Sequence, residues 1–283
     1  MRALAEFIMR GRTQAAVVAV LGTAVPVLTP ATIALVSLRK GISNGFLILL
    51  WGLLPMLISL AMGQMQPLMP ILAISGFVVT YLSALILRNS MSWAYTLMGL
   101  VALSILTALL QLILVPDLLA RLMDSLAEFV KQLFSEMEPS AVTMPGQAFV
   151  VGMIAYVTAL GSLFGLIVGR WWQASLYNPG GFAEEFQQFR LNTVQAVVCM
   201  AAAIYCLTQS PDYRTWATLF VLPLLVMGVA IVHRLVAVKR MGTQWLVGFY
   251  VLVFLLDVIA QLLVIVAFLD TWLNFRGRFK PKL

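Results

Sequence analysis

Apolar residues run along this chain in long, nearly unbroken stretches at 43–62, 67–88, 92–115, 146–169, 193–209, 214–238 and 244–273. All but 193–209 reach the roughly 20 residues that a helix needs to cross the hydrocarbon of a bilayer. The last is long enough for a helix of about 44 Å. Membrane β-barrels instead alternate over strands of about ten residues. A further pair, 14–25 and 31–38, is parted by Pro26-Val-Leu-Thr-Pro30, and neither half reaches spanning length. Two prolines four apart remove backbone donors and break a helix, so this unit predicts a helix–loop–helix hairpin. The expected fold is an all-α, polytopic transmembrane bundle of eight or nine hydrophobic segments.

Two stretches have a different pattern. In 117–138, DLLARLMDSLAEFVKQLFSEME, apolar residues recur at a helical period with charges on the opposite face. That predicts an amphipathic external helix lying in the membrane interface, with a mobile lid or a partner-docking helix as alternatives. In 171–192, Asn178-Pro-Gly-Gly181 is a turn signal, after which Phe182, Phe186 and Phe189 recur along one helix face. These phenylalanines either pack on the bundle or membrane, or form a docking face for a cytoplasmic partner.

Composition sharpens the class. The chain is 62% hydrophobic and 10% charged, against about 25% charged in ordinary globular domains. A soluble enzyme, a nucleic-acid-binding domain and a secreted disulfide scaffold are poor fits to such a chain. The net charge of +7 is the excess expected of cytoplasmic loops. With a cytoplasmic N-terminus and a hairpin that returns to its own side, Arg2, Arg10, Arg12, Arg39, Lys40, Arg88, Arg170, Arg190, Arg234, Lys239 and Arg240 all fall inside. Arg276, Arg278, Lys280 and Lys282 fall outside unless one late segment fails to cross, and 193–209 is the weakest span. The side of the C-terminus therefore stays open. The charged-then-apolar start reads as a retained N-terminus rather than a cleaved signal peptide. Trp93, Trp171, Trp172, Trp216, Trp245 and Trp272 mark segment ends, where indole favours the headgroup region.

Little in the chain carries chemistry. There is no phosphate-binding loop, zinc spacing or nucleophile elbow, so no enzyme, cofactor or metal is expected. Cys199 and Cys206 lie almost two turns apart on one segment, too far to bridge within a helix. The single histidine, His233, sits at a segment end. Ionisable groups in hydrocarbon are costly and partnered, which singles out Asp257 in VLVFLLDVIAQLLVIVAF, with Gln261 one turn on. Asp257 reads either as a proton, cation or ligand contact or as a helix–helix lock. Gln111 is a weaker case, and Asn44 and Tyr81 are candidates to line a cavity. Ala15, Ala19 and Thr23 form a small-residue stripe that admits close helix approach, within the chain or from another subunit.

The short striped helix, the Gly22-Thr-Ala-Val-Pro26 turn and the segment PATIALVSLRKG ending at Arg39-Lys40-Gly41 resemble the substrate-binding S components of energy-coupling-factor vitamin transporters. The resemblance covers about residues 14–170. It implies a six-helix core, a docking contact at Ala15 and Ala19 for a transmembrane coupling subunit served by ATPases, and ligand-covering loops at Pro26–Pro30 and 117–138. The additional C-terminal segments depart from that pattern. Over the whole length, Asn178-Pro-Gly-Gly-Phe-Ala-Glu-Glu-Phe-Gln-Gln-Phe-Arg-Leu191 and Trp272-Leu-Asn-Phe-Arg276 resemble the YybS-like family of bacterial membrane proteins, which supplies no activity. The expected organisation is an S-component-like core at 1–170, a cytoplasmic turn and amphipathic helix at 171–192, and C-terminal helices with a basic tail at 193–283. The expected function is substrate binding for small-molecule uptake across the bacterial inner membrane. A non-transporting membrane scaffold and a cation-coupled carrier built on Asp257 are the alternatives.

Overall fold

The computed structural model describes residues 1–63, 67–133 and 145–278, and every regular element among them is helical. Short α1 (Arg2–Arg10) and α2 (Arg12–Leu21) lead through a turn into α3 (Leu28–Lys40). There follow α4 (Ile42–Met62), α5 (Leu68–Ser90), α6 (Trp93–Leu114) and α7 (Pro116–Leu133). Next come α8 (Gln147–Tyr177), α9 (Gly181–Gln188), α10 (Thr193–Leu207) and α11 (Arg214–Val238). The chain then forms α12 (Gln244–Leu255), α13 (Asp257–Leu273) and α14 (Phe275–Arg278). Among the described residues five helices, α4, α5, α6, α8 and α11 with its preceding turn, are long and apolar enough to cross a membrane. Counting each of two bent pairs as one crossing raises the number to seven, against eight or nine hydrophobic segments marked along the chain. The difference is the hairpin, whose halves α2 and α3 have 10 and 13 residues and are too short to span.

The proline-broken hairpin forms as the pattern predicts, with its turn slightly earlier. Gly22–Ala24 is a 3₁₀ turn, and Pro30 sits in the first turn of α3, where a missing N–H is no loss. α3 is the most enclosed helix of the bundle. Every residue from Ala31 to Leu38 is buried, with α2, α4, α5 and α8 around it. Small residues make this possible. A Cβ on Gly169 would lie 2.6 Å from the Ala34 Cβ and 2.9 Å from the Ala31 carbonyl oxygen, and Gly165 abuts Pro30 just as closely. Helices approach this closely in membranes where glycine removes the side chain.

The two ends of the bundle differ. At one end Lys40 Nζ donates to the Met9 carbonyl at 3.3 Å, and Arg88 Nη1 donates to the Leu38 carbonyl at 2.7 Å. Arg170 and Glu185 pair at the same end. At the other end Gly146 N donates to Asp212 Oδ1 at 3.0 Å, and Trp216 Nε1 donates to the Ala148 carbonyl at 2.7 Å. α10 therefore runs from the arginine end to the opposite one despite its 15 residues, joined to α9 through a 69° bend. Asn192 and Gln195 form a full capping box at its start.

The final apolar stretch is not one long helix. It breaks at Leu256 and turns by 110° between α12 and α13. α12 starts beyond the arginine end of α11, and the last turn of α13 meets Arg190, so the pair returns to the end it left. The start of the basic C-terminal segment, through Arg278, is thereby brought to the end of the bundle that carries Arg170 and Glu185, and Lys280 and Lys282 lie outside the described residues. Of the marked tryptophans, Trp171, Trp245 and Trp272 are exposed, whereas Trp93 and Trp172 turn into the core.

α7 lies at the opposite end as a helix with one packed face. Leu119, Leu122, Met123 and Leu126 rest on the core, while Asp117, Arg121, Asp124, Glu128 and Lys131 are exposed. The expected helix extended to 138, and its last five residues lie outside the described ones.

Candidate functional site

The amphipathic α9 sits at the arginine end, eight residues long and started by Gly180 in the left-handed region at φ 89°. Glu185 anchors it: one carboxylate oxygen pairs with Arg170, and the other accepts from Trp93 Nε1 at 2.5 Å. With that face tied down, the aromatic face turns toward α8 and α11. Phe182 lies 6.1 Å from Trp93, and Phe186 meets the His233 ring edge-on at 5.3 Å. Phe189 is buried outright. The phenylalanine stripe thus packs on the bundle and is not the open docking face considered from the sequence.

Behind α9 is a cavity of about 490 Å³ bounded by α8, α11 and α12, within the roughly 300–1,000 Å³ of small-molecule sites. Leu160, Phe164, Phe186, Leu222 and Val229 line it, and His233 and Tyr250 supply polar atoms. His233 Nε2 and Tyr250 OH share a hydrogen bond of 2.8 Å. Phe164 and Tyr250 are about half exposed, so the cavity opens sideways from the bundle. The sequence marked the flanking phenylalanines but not this site, because four helices distant in sequence build it.

The residues marked from the sequence are scattered and do not converge. Asp257 is not buried; it is the exposed first residue of α13 at the 110° break, and Gln261 is exposed one turn on. A carboxylate is favoured at a helix start, where free amides point toward it. The buried acid of the last segment is Asp270, fully enclosed and 3.8 Å from Arg190 Nε. Gln111 is buried and donates from Nε2 to Ser75 Oγ at 2.7 Å, a lock between α5 and α6. Asn44 accepts from Arg12 Nε at 2.9 Å and donates to the Lys40 carbonyl at 3.1 Å. Tyr81 OH donates to the Ile42 carbonyl at 3.2 Å. Each of these three holds helices together.

The small-residue stripe is also used internally. Ala15 and Ala19 are buried within the chain, and Thr23 donates to the Val20 carbonyl at 2.8 Å. The face of α2 left open is that of Val17 and Leu21. Pro26 is exposed, but Leu28–Pro30 already belong to α3, where Thr29 is buried and donates to the Ala19 carbonyl at 2.8 Å. Of this stretch only Pro26 and Val27 stand outside a helix. Cys199 and Cys206 are buried free thiols.

No family model, no curated protein and no solved structure matches the chain. The long apolar helices fit a multi-pass membrane protein.

Proposed function

We propose that this membrane protein binds a small apolar molecule, or the apolar tail of an amphiphile, taken sideways from the bilayer into the cavity behind α9. The observation that carries the reading is the cavity's chemistry: about 490 Å³, walled by hydrophobic side chains and carrying one hydrogen-bonded polar pair, His233 and Tyr250. An apolar ligand loses nothing on leaving lipid for such walls, so selectivity comes from shape and from that pair. The retention of basic residues at one end supports a bacterial cytoplasmic membrane location with that end, and the N-terminus, inside. No reaction is assigned to the site.

Uptake energised by coupling and ATPase subunits, as the S-component resemblance implies, is one use for such a site. Any coupling subunit would meet the Val17 and Leu21 face of α2, since Ala15 and Ala19 are already covered. The burial of Thr29 and the seating of Pro30 against Gly165 favour a second reading, a membrane scaffold that binds no ligand.

Mass spectrometry of the gently purified protein tests the proposal, with Ala183→Trp as the probe. Ala183 is exposed on α9 and lines the cavity, so an indole there fills the space at little cost to folding. Wild type is expected to carry a stoichiometric apolar adduct that A183W lacks. Equal adducts on both proteins, or none on wild type, overturn the reading and leave the scaffold.

A further inference from the structure

The other face of α9 borders a second cavity, of about 280 Å³, at the arginine end. Its walls bring together guanidinium groups from three helices: Arg39 in the last turn of α3, Arg88 in that of α5, and Arg170 in α8. One carboxylate faces them, that of Glu185, and it is already engaged with Arg170 and Trp93. Arg88 uses one nitrogen to hold the Leu38 carbonyl. Arg39 pairs with no carboxylate among the described residues, and its guanidinium lies 4.0 Å over the Tyr177 ring. A guanidinium carries five N–H donors, so most donors of Arg39 and Arg88 are left for a ligand.

Three positive groups against one negative group leave an excess of two around a single cavity. Like charges held together at close range repel, and an anion between them relieves that repulsion. Planar guanidinium forks match the oxygens of a phosphate in pairs. Forks approaching from three helices suit a tetrahedral group better than a flat carboxylate. The amides of Gln173 and Asn178 also border the cavity and add neutral donors and acceptors for whatever carries the phosphate.

The position fits as well. α8 has 31 residues, about 46 Å of helix, whereas the hydrocarbon is about 30 Å thick. Its final turns, with Arg170, Gln173 and Tyr177, stand at headgroup level. A phosphate there can belong to a lipid or to a soluble ester.

We propose that the Arg39–Arg88–Arg170 cavity is a binding site for a phosphate group. The proposal is independent of the apolar cavity and survives its failure. Arg39→Gln is the clean test, since Arg39 is exposed and no other backbone rests on it. Arg88→Gln serves as a second variant, and Arg2→Gln, altering an exposed arginine paired with Glu6, as the control. Binding of phosphatidic acid or phosphatidylcholine in nanodiscs, and of glycerol 3-phosphate in micelles, is measured by intact mass spectrometry and by melting shift. R39Q is expected to weaken binding of the phosphate probe about tenfold or more, with R2Q unchanged. Preference for phosphatidic acid, undisturbed by the soluble ester, assigns a lipid headgroup. Binding of glycerol 3-phosphate itself assigns a soluble phosphate ester. Equal binding to wild type, R39Q and R88Q overturns the proposal, as does an equal loss in R2Q and R39Q, which would reflect surface charge alone.

Discussion

Arg190 and Asp270, eighty residues apart, join the loop after α9 to the last turn of α13. Arg190 Nη2 donates to the Asp270 carbonyl at 2.5 Å and to the Thr271 carbonyl at 3.0 Å, while Nε lies 3.8 Å from the enclosed Asp270 carboxylate. A cation at a helix C-terminus satisfies carbonyls that have no partner within the helix. This contact holds the end of α13 beside the loop that follows α9.

Arg190→Ala is expected to destabilise the protein by about 2 kcal/mol. The loss should fall below the roughly 3–5 kcal/mol of fully buried pairs, because the Arg190 side chain is 35% exposed and its charge is partly screened. In an Asp270→Asn background the same change should cost about 1 kcal/mol less, since the carboxylate charge is gone while the two backbone carbonyls remain. Denaturation of the four proteins in detergent measures the cycle. Equal costs in both backgrounds would show that Arg190 acts on the carbonyls alone.

The glycines of α8 supply a contrast within one helix. A Cβ on Gly169 would stand 3.0 Å or less from the α3 backbone, whereas one on Gly161 meets nothing within 4 Å. Gly169→Ala should therefore cost about 1–3 kcal/mol through overpacking. Gly161→Ala should be neutral or stabilise by up to about 1 kcal/mol, as alanine does in a helix interior. Melting temperatures that fall equally for both would argue against α3 lying against that face of α8.

The path of the last two helices predicts sidedness. With both native cysteines replaced, Ser125→Cys on α7 and Ser90→Cys at the end of α5 should react with an impermeant thiol reagent from opposite sides of a sealed vesicle. A cysteine at Gly277, in α14, should behave as Ser90→Cys does. If it labels from the side of Ser125→Cys, the α12–α13 pair crosses the membrane instead of returning.

The hydrophobic pattern made the helical class, the hairpin at 14–38 and the amphipathic character of α7 and α9 legible, because each depends on local periodicity or on proline. The break at Leu256 left no such mark. No glycine or proline occupies 255–258, and the only local sign is Asp257, which reads equally well as a buried polar lock. The spacing of Ala15, Ala19 and Thr23 marked a close approach, yet the approach with most consequence uses Gly165 and Gly169 against α3. Small-residue spacing indicates that a helix can be approached, not by what. The two cavities were illegible for a related reason. Arg39, Arg88 and Arg170 each read as an ordinary retained charge, and only the fold places them around one space.

Gln111 separates a structural from a ligand-binding role most directly. Its amide donates to Ser75 Oγ from a buried position, and interhelical hydrogen bonds of this kind are worth about 0.6 kcal/mol on average in membranes. Gln111→Leu should cost about that much, and Ser75→Ala should cost a similar amount. The double variant should cost less than the sum, because once one partner is gone the other has no bond left to lose. Full additivity across the cycle would mean that the two residues do not act through each other. The polar pair would then have to be explained by a ligand between α5 and α6 rather than by their own contact.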